Sequence, residues 1–398
     1  VTFACTPPLV TADIAASLAL SDRTEARLRD PGDYPAGPSL DLATVPEAHL
    51  LLAAPHVGTT LAYTPRLTLF DVNDVGARPT LLDAGSLRFT WRPDDQVTLT
   101  LDEDASYGGM NFAALSFAPG PDGLPPRVDA VPAPQTIWFD STSTTLGSRV
   151  KLRRWEFHSA LTYQLSGGAD ASARTVIPLQ RGPQAEAGLA HDVSPVDQLV
   201  TTLSGAQASF SSGPEIELAE VDEGWKHRFS PVSEIDFTLG GSEANVRPAP
   251  VAGSFRETNP VAEAIWEQRL LMADDRFTFR LGARLGPVVN RLLGIVDERV
   301  QGTIMSEWTH GRLVARAFGS AQQSVPTGGL NATELFAGEL DLAYTASDAM
   351  TFDLGLRGLR QKANQPVATG ATTSILETDL AQGMVFVGVT FRARPVRF

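Results

Sequence analysis

The side chains able to do chemistry in this 398-residue chain fall into two charged rows and a scatter of single bases and nucleophiles. The basic row is Arg269, Arg276, Arg280, Arg284, Arg299, Arg312 and Arg316, with Glu263, Glu267, Asp297 and Glu307 among them. The acidic row is Asp102, Asp104, Glu220, Asp222, Glu234 and Asp236, with Lys226 and Arg228 nearby. Arg276, Arg280 and Arg284 are spaced evenly, so on an extended chain they share one face. Rows of opposite sign across a water-filled space create a transverse field that orients polar solutes. On neighbouring strands the same charges form ion pairs instead. Both outcomes are open at the level of sequence.

Covalent chemistry finds little support. The histidines (His49, His56, His158, His191, His227, His310) stand one at a time. His158 and Ser159 are adjacent, but neighbours on a strand point to opposite faces, so they cannot pair with each other. There is no phosphate-cradling glycine loop and no H-E-x-x-H. Cys5 is the single cysteine, which excludes a disulfide framework and a cysteine metal site. Thr2-Phe3-Ala4-Cys5 resembles a lipoprotein cleavage box, although an ordinary cysteine near a processed N-terminus is the simpler reading. A start at Val1 suggests a removed signal peptide. No catalysis, metal or cofactor is expected. The net charge of -14 argues against nucleic acid as a partner.

The elements that must position the charged rows read as long strands. Leu87, Phe89 and Trp91 alternate with Arg88, Thr90 and Arg92. Phe277, Phe279, Leu281, Ala283 and Leu285 alternate with Arg276, Thr278, Arg280 and Arg284. Similar rows surround Val97, Trp155, Ile235 and Met350. Such segments run about 10 to 14 residues, the length of tilted membrane strands rather than the usual 5 to 6. Tight turns (Pro93 to Asp95, Ser194 to Asp197, Ser230 to Ser233) alternate with longer links (Gly108 to Ala133, Ser166 to Arg181, Ala363 to Glu377). Ser211-Ser212-Gly213 is a tight turn where a longer loop is due. Trp91, Trp155, Trp225, Phe229, Trp266 and Trp308 sit near predicted strand ends, where rings prefer a lipid–water boundary.

These features predict an all-β fold: a transmembrane antiparallel β-barrel of about 16 strands, with 14 to 18 compatible, over residues 51–398. Mean hydropathy is -0.05, as expected where apolar and polar faces alternate. Residues 1–50 are expected to form a helical and irregular extension, a periplasmic arm or a lumen plug. Helical spacing of Ile14, Leu18 and Leu28 predicts a helix over Asp13 to Arg29, capped by Asp13 and stopped at Asp30-Pro31-Gly32. An even strand count with tight turns inside places both termini in the periplasm of a Gram-negative bacterium.

Three stretches carry a resemblance: Glu103-Asp104-Ala105-Ser106-Tyr107-Gly108, then Ser166-Gly167-Gly168-Ala169-Asp170 through Leu179-Gln180-Arg181-Gly182-Pro183, then Phe210-Ser211-Ser212-Gly213 through Trp225-Lys226-His227-Arg228-Phe229. They resemble outer-membrane barrels of the myxobacterial type associated with Wzx/Wzy-type exopolysaccharide secretion. The similarity covers roughly residues 56 to 398. It implies a passive conduit for a sugar polymer, acting with a periplasmic polysaccharide export protein. It also implies that Tyr107, Phe112, Trp138 and Phe139 offer platforms to sugar faces. The proline-rich loop from Gly108 to Ala133 would then form a constriction or a cover. A general diffusion porin and a structural or surface-machine barrel with a closed lumen remain the competing readings.

The terminal residues Met384 to Phe398 look like the end of such a barrel, with Phe398 as the assembly signal read by the barrel assembly machinery. Val385, Val387, Val389 and Phe391 share one face, yet Val396 and Phe398 are even-numbered. A bulge near Arg394-Pro395 must therefore switch the face.

Overall fold

The computed structural model describes residues 15–30, 39–70, 72, 78–111, 136–247, 253–272, 275–290, 294–325, 333–369, 372–394 and 396–397. Twenty strand segments build one closed antiparallel sheet. They are β1 (Ala15–Asp30), β2 (Ser39–Ala54), β3 (Val57–Tyr63), β4 (Arg66–Leu69), β5 (Thr80–Trp91), β6 (Val97–Asn111), β7 (Thr136–Leu152), β8 (Trp155–Gly168), β9 (Gln180–Asp192) and β10 (Asp197–Phe210). Then follow β11 (Glu215–Ser230), β12 (Ser233–Arg247), β13 (Phe255–Met272), β14 (Asp275–Asn290), β15 (Ile295–His310), β16 (Leu313–Val325), β17 (Thr333–Ser347), β18 (Met350–Thr369), β19 (Thr372–Arg392) and β20 (Val396–Arg397). β3 and β4 form a single stave interrupted at Thr64-Pro65, since both lie between β2 and β5 in one register. β20 continues the edge of β19 against β1. The ring therefore has 18 staves, and β1 closes it against β19.

The sixteen staves expected from the sequence lie within Val57 to Arg392, and the two further ones come from the N-terminal segment. The expected helix over 13 to 29 is corrected: its described part is β1, paired with β2 from Ala15↔Ala53 to Arg29↔Ser39. Helix propensity is a weak prior that tertiary pairing overrides. Without β1, the edges of β2 and β19 would both be open. Leu18, Leu20 and Leu28 face outward from β1, whereas Arg23, Glu25 and Arg27 face inward. The expected long loop from Ala363 to Glu377 is corrected as well, because β18 and β19 stay paired down to Thr369↔Thr372.

Outward faces are apolar and exposed: Leu61, Leu161, Leu203, Leu281, Ile304, Leu340, Leu354 and Val387 belong to them. A belt of this kind is stable only against lipid hydrocarbon. Along its tight-turn side run Trp91, Trp155, Trp225, Trp266 and Trp308. Three indole N–H groups donate to the preceding hairpin: Trp225 Nε1 to Asp197 Oδ1 (3.2 Å), Trp308 Nε1 to Asp275 Oδ1 (3.1 Å) and Trp266 Nε1 to Ser233 Oγ (3.4 Å). Each ring thus has one polar anchor and one apolar body, as an interfacial position requires. The tight turns are held by side-chain caps. Asp94 Oδ1 accepts from the backbone N–H of Gln96 and Val97, both at 2.8 Å.

The terminal face switch is present in the pairing. Arg392 opposes Ser21, whereas Val396 opposes Leu18, so four steps on one chain meet three on the other. One extra residue is accommodated, and Val396 emerges on the exposed side at 51%. Pro395 and Phe398 lie outside the described residues.

Candidate functional site

Strand parity places the predicted charged residues on the face opposite the exposed apolar rows, toward the lumen. Glu263 and Arg284 are directly paired across β13 and β14, with Oε2 and Nη1 3.5 Å apart. Arg280 opposes Glu267, which is bonded by Arg269 Nε at 2.6 Å. Arg316 Nε meets Glu307 Oε2 at 2.7 Å. Arg299 is buried and donates to Gln322 Oε1, and Asp297 accepts from Asn290 Nδ2. Arg276 is exposed at the tight-turn end, opposite Thr309. Arg312 is not on a strand: it occupies a tight turn and donates to the Ala346 carbonyl at 2.8 Å.

The acidic row is engaged in the same way. Asp102 Oδ1 accepts from Arg88 Nε at 2.6 Å. Asp104 lies two residues further on the same face, exposed. Glu234 and Asp236 approach Lys226 Nζ at 3.5 and 3.2 Å, and Glu234 also lies 4.0 Å from Arg228. Glu220 and Asp222 share the inward face of β11, and Asp222 lies within electrostatic reach of Arg284 and Glu263. The register therefore interleaves the two signs. Among the described residues most of these charges have a neighbour of opposite sign, so much of the field closes locally between neighbours. His158 and Ser159 also part company. His158 Nε2 faces Glu186 Oε1 inside (3.4 Å), and Ser159 Oγ bonds Ser148 Oγ outside (2.9 Å).

A second charged group escaped the sequence reading because β1 was taken for a helix. Arg27 Nε donates to Glu25 Oε2 at 2.6 Å, and both side chains are almost fully buried. Arg23 Nε lies 3.0 Å from Glu25 Oε1, and Arg66 reaches the same carboxylate at 3.9 Å. Next to them Arg357 Nη2 meets Glu339 Oε1 at 2.7 Å. Phe386 sits between the two groups, with Arg357 Cζ 4.6 Å and Arg23 Cζ 5.8 Å from its ring centroid. The missed signal was the period-two run Arg23, Glu25, Arg27, Arg29, which is strand spacing.

The lumen is crossed by an element that none of the charge patterns suggested. Between β8 and β9 the chain forms a six-residue helix, α1 (Ala171–Val176). Asp170 caps it by accepting from Ala173 N–H at 2.8 Å. The hydrogen bond from Ser172 Oγ, and after it that from Ala173 N–H, hold the Asp170 carboxyl below the usual carboxylate range. Arg174 ties the entry down through the carbonyls of Gly168 and Ala169. Gly168 is required there, since a Cβ would run into the backbone of Ala173 and Arg174. Ala173 and Ile177 then bury themselves in one cluster with Ile137 and Phe139 of β7 and with Leu335, Ala337 and Leu359 of β17 and β18. β7 and β17 stand on opposite sides of the ring, so the cluster that takes in Ala173 and Ile177 joins opposite walls.

This assignment replaces two expectations from the sequence. Phe139 is a buried partner of α1, while Tyr107 and Trp138 form an outward aromatic pair with centroids 5.7 Å apart. None of these three is a sugar platform inside the lumen. Phe112 and most of the proline-rich loop lie outside the described residues. A second apolar cluster narrows the same end, where Phe210, Ile216 and Val246 meet Val296 at the base of the β14–β15 link.

A model of the EpsX exopolysaccharide export family matches residues 9–376. Among solved structures, Pseudomonas aeruginosa OpdO is similar at 13% identity and a TM-score of 0.48, with 95% of this chain and 98% of that chain covered. Acinetobacter baumannii OccAB3 is similar at 9% identity and a TM-score of 0.46, over 95% and 99% of the two chains. The outer membrane protein opdK from Pseudomonas aeruginosa is similar at 10% identity and a TM-score of 0.46, over 96% and 99%. No curated protein matches the sequence.

Proposed function

This chain belongs to the EpsX exopolysaccharide export family, and we propose that it is the passage by which a sugar polymer crosses the outer membrane, gated by α1. It is an outer-membrane β-barrel channel with an outward belt for lipid and a polar, ion-paired interior. The tight-turn rim and both chain ends face the periplasm in this reading, where a polysaccharide export protein hands over the polymer. Passage involves no covalent chemistry. The lumen wall offers interleaved donors and acceptors, which exchange hydrogen bonds with polymer hydroxyls without gripping them. The observation that carries the reading is the family match over residues 9–376.

α1 gives the channel a resting state. The apolar cluster it belongs to reaches both walls and holds the lumen narrow until a polymer or a partner displaces it. The strand-borne basic and acidic residues named above, apart from Arg299 beside the second cluster, line the path below that constriction. Deleting the gene in the source organism tests the proposal: surface polysaccharide should be lost, and a deletant with normal surface polysaccharide refutes export. A general diffusion porin would instead show a large steady conductance for the purified protein alone.

A further inference from the structure

We infer that the inner lip of the tight-turn rim, across β7 to β11, is a binding vestibule for carboxylate-bearing saccharide, which makes the exported polymer anionic. The inference rests on the export reading above. The rim holds a cavity of about 610 Å³ between the β7–β8 turn, the β9–β10 turn and the end of β11. Lys151, Lys226 and Arg228 enter it from inward-facing strand positions, and Arg153 and Arg154 from the turn.

The balance of engaged and free charge gives the cavity its sign. Its carboxylates are already bound by neighbours. Glu156 lies 3.0 Å from Arg149 Nε, Asp192 accepts from Gln198 Nε2 at 2.8 Å, and Asp197 bonds His227 Nδ1 and Ser194 Oγ, both at 2.7 Å. Lys151, Arg153 and Arg154 have no ion pair among the described residues, and all three are exposed. Five cationic side chains (Lys151, Arg153, Arg154, Lys226, Arg228) thus line a space with three carboxylates (Glu156, Asp192, Asp197), each of which already accepts from a neighbour. In a chain of net charge -14, such a spot contrasts with its surroundings and would draw an anion to the mouth.

The turn itself supports a role for these side chains. Arg153 has φ 51°, the one positive value outside glycine among the described residues. A glycine or asparagine would occupy that left-handed position with less strain, of order 1 kcal/mol. The position instead presents a guanidinium, whose planar fork matches a carboxylate. An acidic polymer needs such a foothold, since the lumen beyond it carries abundant carboxylates.

Calorimetric titration of the full chain in detergent tests the inference, with oligogalacturonate as the acidic probe and a maltooligosaccharide of equal length as the neutral one. The acidic probe should bind, the neutral one should not, and affinity should fall as salt rises from about 50 to 300 mM. Replacing Lys151→Gln, Arg153→Gln and Arg154→Gln together should weaken binding at least about tenfold. Arg153→Gly relieves the backbone and should still weaken it, which separates binding from folding. Equal binding of both probes, no binding of the acidic one, or an unaltered triple variant would overturn the inference. So would binding of an acidic peptide in place of the saccharide. The titration is independent of the deletion phenotype: normal polysaccharide in the deletant removes the export reading alone, and a failed titration removes the vestibule alone.

Discussion

Ile177→Ala should loosen α1 and raise conductance. Ile177 is 4% exposed and belongs to the apolar cluster that spans both walls. The substitution removes three carbons from a buried site, worth roughly 2.4 kcal/mol at about 0.8 kcal/mol per group. A residual cavity would add to that figure. If α1 exchanges between a docked and a released position, about 2.4 kcal/mol shifts the ratio by roughly fiftyfold. Single-channel recording in planar bilayers, without any periplasmic partner, reads the shift as open probability. Ala171→Ser is the control, since Ala171 is exposed on the same helix. An open probability and conductance equal to the native protein would refute the gate, and so would a lower urea midpoint of the barrel with unchanged conductance. Either outcome would mean that the cluster braces the wall rather than closing the path.

The same gate should respond to acid. The Asp170 carboxyl is held below the usual range by its helix-cap bonds, so the cap is intact above that range and is lost as pH falls through the depressed value. Open probability should therefore rise at pH below about 4, and Asp170→Ala should be open already at neutral pH with no acid response. Gly355→Ala should cost about 1 to 3 kcal/mol of stability, read as a lower urea midpoint, because a Cβ there collides with the Phe386 ring and Asp341. Phe386→Leu in the same chain should recover part of the loss, and a neutral Gly355→Ala would contradict the packing. Glu103 faces outward, midway between Tyr107 and Leu99, the partner of Trp91, and accepts from Thr144 Oγ1 at 2.8 Å. Glu103→Leu should stabilise the vesicle-embedded barrel by about 1 kcal/mol, and a loss would show that this face meets protein rather than lipid.

Much of the architecture was legible because a membrane strand shows its two environments in a period of two. Phe277, Phe279 and Leu281 against Arg276, Thr278 and Arg280 leave no choice of face. The sixteen staves from Val57 onward, the tryptophan belt and the register break beside Pro395 follow from alternation and turn spacing alone. β1 was harder. Leu18 and Leu28, with Ile14 ahead of them, also fit a helical stripe, and its good helix formers outweigh four charges at strand spacing.

Amino-acid order alone settled which side chains look outward and which look inward, since that depends on lipid against water at each residue. It also assigned inward positions to Arg280, Arg284, Asp102 and Asp236. Tertiary structure decided which charges meet, because pairing depends on register between strands far apart in the chain. Glu263 finds Arg284 only through the alignment of β13 with β14, and Arg357 finds Glu339 only through that of β17 with β18. The crossing by α1 is decided at the same level. Ala173 and Ile177 are ordinary apolar residues in a loop, and only ring closure brings the β17 wall opposite them within reach.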